Sequence, residues 1–120
     1  MIKTHRDLKV WQEAMTLVKE IYQLTSAFPQ EELYGLSAQL RRSAVSVPSN
    51  IAEGAARSSK KEFLQFLSVA RGSLSELETQ VIIAKEIGYV ETIDSIQSRT
   101  QNLFKLIGGL VNKLKDRGSD

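Results

Sequence analysis

The chain has 120 residues, a formal net charge of +2, a hydrophobic fraction of 42% and no cysteine. That length fits a single domain, 1–120, with a real apolar core. Disulfides and thiolate metal sites are excluded, and with charges so nearly balanced any attraction to nucleic acid must rest on local clusters.

The opening Met1-Ile2-Lys3-Thr4-His5-Arg6-Asp7 carries no apolar leader, and no later stretch is apolar for long enough to cross a bilayer, so a cytoplasmic location and no membrane partner are expected. Helical periodicity then recurs in four segments, and none shows the alternation of a half-buried strand. The first spans residues 7–26, with Leu8, Trp11, Met15, Val18, Tyr22 and Thr25 as its apolar row, and ends before Phe28-Pro29. The second spans residues 30–53. It opens on Glu31 and Glu32, carries Leu33, Leu36, Leu40, Ala44, Val47 and Ile51 as its row, and closes on Gly54 as a C-terminal cap. Pro48 lies inside it. The apolar phase continues past the proline, so a bend is expected there rather than a break.

The third segment, residues 59–87, starts at the capping pattern Ser59-Lys60-Lys61-Glu62 and keeps Phe63, Phe66, Ala70, Leu74, Leu77, Val81 and Ala84 on one side. Gly88 ends it, with Tyr89 placed for the apolar contact of a glycine cap. The fourth spans residues 92–114 from a Thr92 cap. Its Gly108-Gly109 pair weakens the helix by about 1 kcal/mol per glycine unless close packing compensates. Short connections between long helices make the expected architecture all-α, an antiparallel up-down-up-down four-helix bundle, with residues 1–6 and 116–120 mobile.

Little in this chain supports catalysis. The only histidine is His5, outside the bundle, which excludes a di-iron centre of the bundle type and leaves no Ser-His pairing in the core. No phosphate loop of the required spacing is present, and Glu53, Glu76 and Glu78 have no recognisable acid-base partner. The expectation is no enzyme, no metal, no cofactor and no small-molecule substrate.

The second segment offers something different. Arg42, Ser46, Ser49, Asn50 and Glu53 fall within a third of the helix circumference opposite the apolar row. Serine and asparagine weaken a helix interior, so their clustering marks a surface in contact with something. Beside them Ala38, Val45 and Ala52 recur every seven residues, and the third segment has a matching flank in Val69, Gly72, Ser73, Glu76, Gln80 and Ile83. These flanks are expected to form a protomer interface of a homo-oligomer, a tolerant solvent surface being the alternative, with Arg42, Ser46, Asn50 and Glu53 paired across protomers or within a bundle. Basic residues gather at Arg57, Lys60 and Lys61, with Arg41 and Arg42 a few turns earlier. Further sets lie at Lys3, Arg6 and Lys9 and at Lys113, Lys115 and Arg117. Such clusters suit RNA or DNA phosphates, and an oligomer multiplies a weak patch. Arg41, Arg57, Lys60 and Lys61 are the nucleic-acid candidates. A structural or protein-interaction scaffold without nucleic acid is the alternative.

Asp7-Leu8-Lys9-Val10-Trp11, Phe28-Pro29-Gln30-Glu31-Glu32-Leu33-Tyr34-Gly35-Leu36, the Arg-Arg-Ser-x-x-Ser-x-Pro-x-Asn-x-x-Glu-Gly pattern from Arg41 to Gly54, and Gly72-Ser73-Leu74-Ser75-Glu76-Leu77-Glu78 occur in that order. The chain closely resembles the bacterial four-helix-bundle proteins encoded in intervening sequences of 23S ribosomal RNA genes, from Arg6 to about Leu114. That resemblance implies a cytoplasmic bacterial protein, a bundle fold and a homo-pentameric ring, and it brings no catalytic residues. The chain is also distantly similar to the accessory protein of diversity-generating retroelements, a more basic pentameric bundle associated with nucleic acid.

Overall fold

In the computed structural model, which describes residues 4–116, four α-helices and two short 3-10 turns make up the regular structure, with no strand among the described residues. Thr4 opens the first turn, His5–Asp7, by a reciprocal cap: its hydroxyl accepts from Arg6 N at 3.1 Å, and its own N–H donates to the Asp7 carboxylate at 3.2 Å. The Gln12 amide donates to the Arg6 carbonyl at 2.8 Å, and the His5 ring stands edge-on to Trp11 at 5.1 Å. Residues 4–6 of the expected mobile lead-in therefore sit in a capped turn. Residues 1–3 and 117–120 lie outside the described residues.

Helix α1, Lys9–Thr25, buries Val10, Ala14, Leu17, Ile21 and Thr25. This corrects the expected apolar row at Trp11, Met15, Val18 and Tyr22, while Leu8 and Thr25 are buried as expected. Two rows run one residue apart on this helix, and the aliphatic one turns to the core. Trp11 and Val18 are half-buried, while Met15 and Tyr22 are exposed at the rim, where the larger amphipathic rings keep their polar atoms near water.

Helix α2, Leu36–Ala55, starts later than expected. Gln30–Glu32 form a 3-10 turn instead, and Gly35, at φ −110° and ψ −115°, breaks the helical path. The Glu32 carboxylate reaches back over Gly35 to accept from Leu36 N at 3.0 Å, capping the helix from four residues away. A methyl group on Gly35 would lie 2.6 Å from that carboxylate oxygen, so glycine makes the reach possible. Leu33 is consequently outside α2 and exposed. The helix runs unbroken through buried Pro48, as the apolar phase implied. Gly54 is not a C-cap. It is buried inside the helix, where a methyl group would lie 2.8 Å from Phe66 Cβ and 2.9 Å from Phe63 Cδ1.

Helix α3, Lys60–Glu86, begins at the expected cap, with Ser59 Oγ accepting from Glu62 N at 3.1 Å. Its core side is Leu67, Ala70, Leu74, Leu77, Val81 and Ala84; Phe63 and Phe66 are half-buried over Gly54. Gly88 ends it as expected, at φ +89°, with Tyr89 N donating to Ala84 O at 2.9 Å and Gly88 N to Lys85 O at 3.0 Å. These two bonds define a Schellman cap. Helix α4, Asp94–Asp116, buries Ile96, Thr100, Leu103 and Ile107. Among the described residues, a methyl group at Gly108 or Gly109 would meet no atom within 4 Å beyond the helix's own backbone, so no close packing offsets the cost of these glycines.

Each helix touches its sequence neighbours, and α1 touches α4, around one core; α2 and α3 form the closest pair. Ser43 meets Gln80, Ser46 meets Ser73, and Gly54 meets Phe63 and Phe66, so α2 and α3 run in opposite senses. The Thr25–Arg41 pair with the shared Trp11–Ala52 groove, and the Glu20–Ser95 pair with the shared Leu8–Lys113 groove, give α1 the same relation to α2 and to α4. All of this agrees with an up-down-up-down path.

Candidate assembly and nucleic-acid surfaces

The polar stripe of α2 divides into two groups with different roles. Ser46 and Ser73 hydroxyls lie 2.8 Å apart, and the Asn50 amide donates to both Ser46 O, at 2.8 Å, and Ser46 Oγ, at 2.9 Å. Ser43 Oγ donates to buried Gln80 at 2.9 Å one turn further along. The two uncharged flanks thus meet each other in one chain: Ser46 and Ser73 join α2 to α3, and Asn50 holds Ser46 from within α2. Arg42 and Glu76 line the mouth of a hollow of about 170 Å³ above that joint. Ser49, Glu53 and Gly72 are exposed, and Glu53 accepts from Arg57 at 2.8 Å.

On the other side of α2 lies an apolar groove of about 340 Å³ in which Trp11, Met15 and Val18 face Val45, Pro48 and Ala52. Trp11, Met15 and Val18, which periodicity alone places in the core, form one wall of it. The seven-residue recurrence of Val45 and Ala52 was the signal that could have found it. Exposed Val69, Ile83 and Ile87 give α3 an apolar flank as well. The face centred on α2 is therefore bordered by carbon surface on both sides.

The nucleic-acid candidates do not all come together. The Arg41 guanidinium donates to Thr25 Oγ1 at 2.9 Å and lies 4.8 Å above the Tyr22 ring, so it ties α1 to α2. Arg57 pairs with Glu53 and lies 4.9 Å above the Phe66 ring, while Lys60 and Lys61 occupy the first turn of α3. What the topology does gather is broader. The start of α1, the α2–α3 connection and the end of α4 share one end of the bundle, bringing Arg6, Lys9, Arg57, Lys61, Lys113 and Lys115 to it in excess over the interleaved Asp7, Glu53, Glu62 and Asp116. The opposite end collects Glu31, Glu32, Glu86, Glu91 and Asp94. Lys3 and Arg117 lie outside the described residues.

Near the basic end, Leu8, Lys9 and Val10 face Lys105, Leu106, Gly109, Leu110 and Lys113 across a groove of about 360 Å³. Lys105 was missed in the sequence because no basic residue adjoins it. Its spacing to Gly109 and Lys113, at i, i+4 and i+8, was the available signal.

Two charged joints fix the frame. Arg99 on α4 pairs with Glu13 at 3.0 Å and with Glu20, which also accepts from Ser95 at 3.0 Å. At the acidic end Tyr89 donates to the second Glu32 oxygen at 2.7 Å. The Leu36 N–H and then the Tyr89 hydroxyl hold the Glu32 carboxyl below the ordinary carboxylate range; the same bond pushes the Tyr89 phenol up.

No group of three or more His, Cys, Asp or Glu side chains among the described residues is arranged to hold a metal ion, and no helix there is long and apolar enough to cross a membrane. Fold and surfaces together define a small four-helix bundle whose distinctive features lie on its outside: two helix-joint grooves and two oppositely charged ends. The chain belongs to the family of 23S rRNA-intervening sequence proteins, which it matches over residues 6–109. None of the curated proteins matches it.

Proposed function

We propose that this chain is a non-catalytic, cytoplasmic, self-assembling bundle that binds RNA or DNA through its basic end. The gathering of basic side chains from three separate chain segments at one end carries the reading. Each protomer's patch is small. Assembly multiplies it, five copies being the number the family resemblance implies. The face centred on α2 is the proposed protomer contact, with Met15, Val45 and Ser49 exposed along its apolar groove and Arg42, Glu53, Gly72 and Glu76 on its polar side.

A salt series of RNA filter binding tests the reading. Each phosphate neutralised contributes about 0.7 to 0.9 to the slope of log affinity against log salt. The double variant Lys61→Glu/Lys115→Glu should weaken binding and flatten that slope while leaving the assembly mass unchanged. Affinity indifferent to salt, or to these charge reversals, contradicts it. A scaffold without nucleic acid is the second reading, favoured by the apolar border of the α2 face, which calls for a protein partner and not for a phosphate.

A further inference from the structure

We infer that the Leu33–Tyr34 corner of one copy seats in the lysine-rimmed groove between α1 and α4 of another copy. The inference rests on the self-assembly reading and specifies a contact that reading leaves open. Tyr34 is 92% exposed and Leu33 44% exposed, a large apolar pair that the chain's own fold leaves uncovered. The corner is also held in shape. The 3-10 turn before it, the Gly35 N to Glu32 O bond at 2.9 Å and the Glu32 cap on Leu36 fix its backbone, so little ordering is needed on contact. Glu31 and Glu32 make it acidic.

The groove has the complementary chemistry. Leu8, Val10, Leu106 and Leu110 supply its apolar walls, and Lys9, Lys105 and Lys113 rim it. Its volume of about 360 Å³ lies at the lower end of the range for pockets that enclose a ligand. Gly109 leaves the α4 backbone bare on this side, in a helix where glycine is a poor choice and where, beyond the helix's own adjoining backbone, no atom among the described residues lies within 4 Å of where a methyl group would sit. A partner side chain approaching the helix closely accounts for it. Corner and groove lie at opposite ends of a molecule 49 Å long, so the contact is head-to-tail and builds rings or open chains, not a two-fold pair.

The absence of native cysteine makes the test direct. Gln30→Cys, beside the corner, and Asn112→Cys, beside the groove, both at exposed positions, are prepared separately, mixed and treated with a short bis-maleimide. The expected product is a covalent heterodimer, absent when Ser75→Cys on the exposed side of α3 replaces Asn112→Cys. Adding Tyr34→Ala should lower the yield by about tenfold or more. Lys113→Glu should do the same, and Glu31→Lys should restore yield to that variant. Gly109→Leu fills the groove without touching the core and should block the contact in a protein that is no less stable. An intact oligomer with no cross-link overturns this contact and leaves the assembly reading standing. A wild-type chain that stays monomeric overturns both. Loss of RNA binding on Lys113→Glu, with no cross-link in wild type, assigns the groove to phosphate and also overturns it.

Discussion

Glu32 shows how one side chain sets the geometry of the acidic end. Its two oxygens take the first N–H of α2 and the Tyr89 hydroxyl, so the α1–α2 and α3–α4 connections are pinned together, with the Phe28 and Tyr89 rings 5.4 Å apart beneath. Because its carboxyl titrates lower in the folded chain than in the unfolded one, the stabilisation is fully present above the unfolded value and disappears as pH falls through the folded one. Urea unfolding midpoints measured between about pH 5 and pH 2 should therefore fall more steeply in wild type than in Glu32→Gln. Equal slopes contradict the clamp. Two glycines should respond in opposite directions to the same change. Gly54→Ala forces a methyl group against Phe66 Cβ and should cost about 1–3 kcal/mol, whereas Gly109→Ala meets open space and should gain about 1 kcal/mol by denaturant titration. Glycine at a crossing and glycine at a helix end look alike in a sequence. The sequence pattern therefore places a cap at Gly54 as readily as at Gly88, and only Gly88, flanked by Tyr89 after a long periodic run, forms one.

Among elements, legibility followed how local the determining forces were. The start of α3 and its Schellman end depend on residues within one turn, and both were readable. The start of α2 depends on a carboxylate folding back over Gly35 and on Tyr89, 57 residues away, and it was not. Helix α1 carries two apolar rows, and only packing against α2 and α4 decides between them. Leu17→Ala should accordingly cost about 2–5 kcal/mol, while Met15→Ala should cost less than about 1 kcal/mol in the same denaturant titration. The reverse ranking would restore the row first read. Asn50→Leu removes an amide that donates to Ser46, which in turn meets Ser73 on α3, so it should lower stability by about 1 kcal/mol, and Met15→Arg or Val45→Arg is the cleaner probe of assembly.

At the scale of the whole molecule, the net charge of +2 conceals a separation of sign that only the folded path produces. Arg6, Lys61 and Lys115 are far apart in sequence, and up-down-up-down packing brings them to one end; Arg41, adjacent to Arg42 in the chain, is drawn into the α1–α2 joint instead. The four helices and the family were legible from periodicity and motifs. The charged ends were not, because they depend on which termini become neighbours. The most direct measurement of the central claim is the affinity of the native protein for RNA as salt rises, with assembly mass followed in parallel. A linear log–log loss of affinity, flattened by Lys61→Glu/Lys115→Glu at unchanged mass, is the predicted result. Affinity that ignores both salt and these substitutions would contradict a nucleic-acid role for the basic end.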